Sequence, residues 1–143
     1  MITAESQPCV LVIDDDPRSL KLMTIVLGKA GYRVATASDG LAGLECLAME
    51  RPQVVLVDLL MPGIDGFEFC RRVRARPDLA DLPLMLLTAM ASMEVQQQAR
   101  NAGVNSIMAK PFDRAELLEC LARLQDGMRG GSGPGSKGND SAD

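Results

Sequence analysis

The sequence predicts an α/β fold, a doubly wound five-stranded parallel sheet with five helices. Three observations predict it. Short apolar, strand-length runs alternate with segments of helical period, the connections between them are short, and apolar residues make up 47% of 143 with aromatics only 3%. Strands buried on both faces read as continuous apolar runs, and parallel neighbours need a crossover helix between them. The length suits one domain.

The elements follow in order. Cys9 to Ile13 is a continuous β-branched run, and Asp16-Pro17 supplies an N-cap with proline at the first helical position. The first helix carries Leu20, Met23, Ile25, Val26 and Leu27 and closes at Gly31, a natural residue just past a helix end. Arg33 to Ala37 is a shorter strand, and Asp39 caps a helix presenting Leu41, Leu44, Cys46 and Leu47. Val54 to Val57 is the third strand, and Asp65 with Glu68 forms a capping-box pattern for the third helix. Leu84 to Leu87 is the fourth strand, and Ser92 caps a helix closed by Gly103. Ser106 to Ala109 is the fifth, and Asp113 with Glu116 opens a last helix that ends at Gly127. The folded part is therefore expected over 9–126, after an N-terminal arm at 1–8. Residues 127–143 hold six of the thirteen glycines and three serines, the composition of a flexible tail or a truncated linker.

Composition excludes several chemistries. The chain has no histidine, so Ser-His-Asp and Cys-His catalysis, histidine-ligated zinc and a phosphohistidine carrier role are all ruled out. Cys9, Cys46, Cys70 and Cys120 are far apart with no C-x-x-C pair, so they read as small buried hydrophobes in a reducing compartment. No apolar run approaches the roughly 20 residues of a membrane span, and the N-terminus lacks a basic signal-like region, which together point to the cytoplasm. A net charge of −4 argues against nucleic-acid binding through this domain alone.

The polar residues at strand ends carry the chemistry. Asp14, Asp15 and Asp16 follow strand 1, Asp58 follows strand 3, Thr88 strand 4 and Lys110 strand 5. Taken singly, the aspartate run reads as a solvated turn with a cap, Thr88 as a strand-end hydroxyl and Lys110 as a surface charge, but Asp58 ends an apolar strand and is followed by Leu59-Leu60-Met61, one charge in apolar company. If strands 1 and 3 are neighbours, roughly 4.8 Å apart, Asp14, Asp15 and Asp58 converge on one small volume. Clustered carboxylates repel, and a hard divalent cation such as Mg²⁺ relieves them while keeping room for phosphate oxygens. Carboxylate nucleophile, metal, ammonium and hydroxyl together form an inventory for phosphoryl transfer.

The joint pattern Asp14-Asp15-Asp16, Asp58-Leu-Leu-Met-Pro62-Gly63-Ile-Asp65-Gly66, Thr88-Ala89 and Lys110-Pro111-Phe112 resembles the receiver domain of bacterial two-component response regulators. The resemblance covers roughly Cys9 to Gln125 and implies a flavodoxin-like sheet of order 2-1-3-4-5. It implies that Asp58 is the phosphoacceptor, taking its phosphoryl group from a sensor histidine kinase or phosphotransfer protein in a Mg²⁺-dependent reaction. Asp15 matches a direct metal ligand, Asp14 an acid acting mainly through metal-bound water, and the backbone carbonyl of Leu60 the remaining protein ligand. Thr88 and Lys110 match the groups that bind phosphoryl oxygens, Ala89 leaves them room, and Lys110-Pro111 resembles the family's cis peptide. Pro62-Gly63 and Gly66 shape the loop after Asp58. The implied role is a phosphorelay switch acting on an unknown output domain or protein, assisting its own modification and turning over no separate substrate, with a homodimer as one possible assembly.

One position departs from the family. Three residues before the lysine, where Tyr or Phe is usual, stands Ile107, so readout is expected through the Thr88 to Ser92 loop, the fourth helix, or a partner that recognises Asp58 directly. Arg71, Arg72, Arg74 and Arg76 crowd the end of the third helix, either as a solvated face complementing the helix C-terminus or as a docking patch for an acidic partner. Met90, Met93 and Gln96 to Gln98 form either an interface or core filling, which burial decides.

Two other functions compete. Asp14-x-Asp16 after a strand resembles the nucleophile motif of haloacid-dehalogenase-type enzymes, but the later acids and cap insertion of that pattern are missing, and it leaves Asp58 and Pro62-Gly63 unexplained. A pseudo-receiver that only binds partners would normally lack an acid, the threonine or the lysine, and all are present. Flavin or dinucleotide binding lacks the glycine-rich phosphate loop after strand 1.

Overall fold

The computed structural model describes residues 7–130, with side chains through residue 125. Ten elements alternate along the chain: β1 (Cys9–Ile13), α1 (Pro17–Lys29), β2 (Arg33–Ala37), α2 (Gly40–Glu50), β3 (Val54–Asp58), α3 (Gly66–Arg74), β4 (Leu84–Thr88), α4 (Met93–Asn101), β5 (Ser106–Ala109) and α5 (Arg114–Gly130). All strand pairings are parallel, in the order β2-β1-β3-β4-β5. The strand-period reading and the implied order are both borne out.

The period-2 alternation of strand side chains explains why β1, β3 and β4 had to be apolar throughout. Leu11, Ile13, Val55, Val57, Leu84 and Leu86 face one cluster with Phe69, Cys70 and Val73 of α3. Val10, Val12, Val54, Leu56, Met85 and Leu87 face another with Met23 and Leu27 of α1 and Leu117 and Leu121 of α5. The edge strands β2 and β5 are only partly buried, which is why their sequences, RVATA and SIMA, are more mixed.

Helix starts follow the predicted caps. Asp16, Asp39, Asp65, Ser92 and Asp113 accept backbone N–H bonds from Arg18, Ala42, Glu68, Val95 and Glu116 at 2.7–3.2 Å. Each cap of this kind is worth about 1 kcal/mol. Only half of the α3 capping box forms, because the Glu68 carboxylate turns outward to Arg71 and Arg72.

Several expectations are corrected. α2 ends on Arg51 in the left-handed region (φ 49°), a cap that no glycine announced. A short 3₁₀ turn at Pro77–Leu79 follows α3. α5 continues to Gly130 rather than ending at Gly127, since one glycine costs a helix only about 1 kcal/mol. Residues 1–6 and 131–143, the bulk of the expected arm and tail, lie outside the described residues. Of the apolar residues that α1 and α2 carry, Ile25 and Leu41 are exposed, so the buried stripes are narrower than the composition of these helices. Cys9, Cys70 and Cys120 are buried and free, but Cys46 is only half-buried.

Arg74 fits neither reading of the arginine cluster. Its guanidinium folds inward to Gly103 O, Leu79 O and Asn105 Oδ1, whereas Arg71 and Arg72 remain at the surface on Glu68. Met90 and Met93 are 71% and 86% exposed, which removes the core-filling reading.

Candidate functional site

The carboxyl ends of β1, β3, β4 and β5 gather the predicted residues. Ile13 pairs with Val57, so Asp14, one residue past β1, stands beside Asp58, the last residue of β3. Asp14 and Asp58 are buried and Asp15 is exposed, and one carboxylate oxygen from each lies within 4.8 Å of the others. This confirms the convergence that depended on β1 and β3 being neighbours. Asp16 is absent from the cluster, because its carboxylate is turned to the first turn of α1.

Lys110 comes from the first position after β5, where its N–H donates to Thr88 O at 2.7 Å, and its peptide bond to Pro111 is cis. The ammonium lies 2.6 Å from Asp58 Oδ1 and 3.3 Å from Asp14 Oδ2. Asp14 is held from the other side by the Asp16 N–H on its Oδ1. Burial pushes the Asp58 carboxyl above its usual value; the Lys110 ammonium works against this, and Asp14 and Asp15 add to it. Burial disfavours the charge on Lys110, yet hydrogen bonding and attraction to Asp58 and Asp14 outweigh it and raise its pKa. The Lys110 ammonium thus contacts two carboxylates of a cluster of three, a group that could hold a divalent ion.

Thr88 is buried at the end of β4 but is not aimed at Asp58. Its hydroxyl accepts from Met90 N at 3.1 Å and donates to Met90 O at 3.3 Å. The main chain of Met90 is a partner that sequence reasoning did not foresee, since local hydroxyl turns of this kind leave only a weak mark on sequence. Leu60 lies in the β3–α3 connection with its side chain 74% exposed, and Ala89 is also exposed. That connection is fixed at both ends: Leu59 N donates to Leu87 O at 2.8 Å, and Gly66 N donates to Leu59 O at 2.9 Å. Gly63 has φ +82°, as its turn position requires. Gly66 seats α3 directly on the strand end, since a Cβ there would lie 2.9 Å from Asp58 O.

A cleft of about 640 Å³ between α1 and the β5–α5 connection opens beside Lys110, with Met23, Val26, Phe112 and Leu117 among its apolar walls. A second, of about 510 Å³, runs along β5 and is bounded by Ala91, Ala99, Val104 and Ile107. Ile107 is half-buried there against the α3–α4 side of the core.

A flavodoxin-like sheet with an acid triad, a lysine and a hydroxyl at its carboxyl edge has its site where doubly wound sheets place theirs, and its polar residues are those of a receiver domain. The model of the response regulator receiver domain matches residues 10–122. The chain is 38% identical over 117 residues to the DNA-binding dual master transcriptional regulator RpaA of Synechocystis sp., covering 82% of this chain and 48% of that protein. The chemotaxis protein CheY4 of Vibrio cholerae superposes with a TM-score of 0.80 at 33% identity, over 82% of this chain and 98% of CheY4. The receiver domain of the sensor histidine kinase PA1611 of Pseudomonas aeruginosa, solved with a magnesium ion coordinated in its active-site cleft, superposes with a TM-score of 0.77 at 31% identity, over 83% and 98%. The chain belongs to the receiver domains of two-component response regulators. It spans about half the length of the curated relatives it matches.

Among the described residues, no helix is long and apolar enough to cross a membrane.

Proposed function

We propose that Asp58 accepts a phosphoryl group from a phosphohistidine on a sensor histidine kinase or phosphotransfer protein, and that the modification switches the domain between two conformations. The observation that carries this reading is the placement of Asp58, buried, 2.6 Å from Lys110 and within 4.8 Å of the Asp14 and Asp15 oxygens. The donor set is all oxygen: Asp14, Asp15 and Asp58 fit a Mg²⁺ ion, and the Leu60 carbonyl would be the further protein ligand. Bound Mg²⁺ supplies charge neutralisation between the carboxylates and the incoming phosphoryl oxygens.

The chain's own groups do the rest. An Asp58 carboxylate oxygen attacks phosphorus, the phosphorus–nitrogen bond to the donor imidazole breaks, and an acyl phosphate forms on Asp58 while the imidazole leaves. Lys110, already on Asp58, moves its ammonium onto a phosphoryl oxygen, and the Thr88 hydroxyl exchanges its bonds to Met90 for one to another. Leaving Met90 frees the start of α4, a helix whose only buried residue is Ala99. That gives the added charge of about −1.5 to −2 a mechanical outlet.

The output is an unknown domain or protein, and the exposed Met90 and Met93 lie where the released segment meets it. The domain works in the cytoplasm, contacts no nucleic acid itself, turns over no separate substrate, and can pair as a homodimer. The dehalogenase-type alternative loses support from Asp16, which serves as the α1 cap. The test is incubation with acetyl phosphate with and without EDTA, followed by hydroxylamine. A Mg²⁺-dependent adduct released by hydroxylamine is expected of an acyl phosphate, and a hydroxylamine-resistant adduct contradicts the assignment.

A further inference from the structure

We propose that Arg74 is a positioning residue for phosphoryl transfer: from the far end of α3 it sets the start of the β4–β5 ladder and thereby places Thr88 and Lys110 against Asp58. The inference rests on the function proposed above and extends it to a residue on the opposite side of the domain from Asp58.

The chemistry of the Arg74 contacts singles it out. Its Nε donates to Gly103 O at 2.9 Å, Nη1 to Leu79 O at 3.0 Å and Nη2 to Asn105 Oδ1 at 2.7 Å. Among the described residues no carboxylate lies within ion-pair distance of the guanidinium, so its planar fork holds backbone and an amide in fixed directions. Gly103 leaves the space for this, since a Cβ there would lie 2.6 Å from Arg74 Cγ.

Asn105 passes the constraint to the sheet. Its Oδ1 also accepts from Leu84 N at 2.7 Å, and its own N–H donates to Leu84 O at 2.9 Å. Both main-chain groups of the first β4 residue are therefore held by the residue that precedes β5. At the other end of the same ladder Lys110 N bonds Thr88 O. β5 is a four-residue edge strand in which Met108 alone is buried, so the Asn105 bonds to Leu84 reinforce a short ladder at its start. A one-residue slip would turn every β5 side chain to the opposite face.

α3 supplies the reference. Its first residue, Gly66, sits on the carbonyl of Asp58, and its last, Arg74, holds Asn105, which bonds the first residue of β4 and immediately precedes β5. Nine helical residues make a strut of about 13 Å. One rigid element therefore ties the position of Asp58 to that of the two strands bringing Thr88 and Lys110.

The test uses the full chain with Arg74→Ala, Arg74→Lys, Asn105→Ala and the Arg74→Ala/Asn105→Ala double variant. Phosphorylation by acetyl phosphate with Mg²⁺ is timed by intact mass well below each melting temperature, and backbone amide shifts of Thr88, Ala109 and Lys110 are recorded. Arg74→Ala and Asn105→Ala are each expected to slow phosphorylation about tenfold and to move those amides, as small misplacements at a reacting centre do. The double variant should be no slower than either single one, Arg74→Lys should be intermediate, and added ethylguanidinium should restore rate to Arg74→Ala but not to Asn105→Ala. Lower melting temperatures with unchanged rates and unmoved amides would overturn the proposal. If Arg74→Ala does not fold, Arg74→Lys and Asn105→Ala decide it by the same readouts. A wild-type chain that gains no phosphoryl group counts against the proposed function instead, and the amide shifts then still decide the role of Arg74.

Discussion

Lys110 Nζ sits 2.6 Å from Asp58 Oδ1 and 3.3 Å from Asp14 Oδ2, so one ammonium from the β5 end bridges carboxylates from the ends of β1 and β3. The pair is buried enough that Asp58 still pays for its charge. Its pKa is raised, by burial first, despite the lysine.

Asp58→Asn therefore should stabilise the fold at neutral pH. Well below the ordinary carboxylate value of 3.8, Asp58 is protonated in folded and unfolded chains alike and costs nothing. As pH rises through the interval up to its raised folded value, the unfolded chain ionises first and stability is lost. The metal-free variant is expected to melt higher than the wild type at pH 7, with the difference shrinking as the pH falls well below 3.8. Thermal melts across pH check it, and a variant less stable at pH 7 would contradict it.

Adding Mg²⁺ should stabilise the wild type by mass action, by about 2.7 kcal/mol at a hundredfold excess over the dissociation constant, and so raise its melting temperature. Asp15 is the exposed member of the triad and does not touch Lys110. Asp15→Asn is accordingly expected to abolish most of that gain while leaving metal-free stability within about 0.5 kcal/mol. Calorimetry with and without Mg²⁺ distinguishes this from a metal site that does not use Asp15.

Ile107→Tyr should alter partner binding and leave the phosphorylation rate nearly unchanged. Ile107 lines the cleft along β5 rather than the carboxylate cluster, and the small Ala91 and Ala99 leave room for a ring. Phosphorylation kinetics by intact mass check the prediction, and a large loss of rate would count against it.

Native-state alkylation should modify Cys46 first. Cys70 is buried with its thiol pushed up to about 12 by desolvation, and Cys9 and Cys120 are also buried, whereas Cys46 is half-exposed on α2. Peptide mapping after brief iodoacetamide treatment reads the order.

Much of this site was legible in sequence because a parallel sheet sends all its strand ends the same way. Once Cys9 to Ile13 and Val54 to Val57 are read as buried neighbours, Asp14 and Asp58 have nowhere else to point. Thr88 and Lys110 follow from β4 and β5 by the same logic. What stayed hidden depends on contacts between residues distant in sequence or on the main chain. Arg74 looked like one more surface cation, since its acceptors are carbonyls that carry no residue signature. The Thr88 bonds to Met90, the left-handed Arg51 and the continuation of α5 past Gly127 are likewise backbone choices that side-chain pattern does not encode.

The central claim is that Asp58 is the atom-level acceptor. Wild type and Asp58→Asn, incubated with acetyl phosphate and Mg²⁺, are compared by intact mass. The wild type is expected to gain one phosphoryl group and the variant none; no gain in the wild type, or an equal gain in Asp58→Asn, would rule out Asp58 as the acceptor.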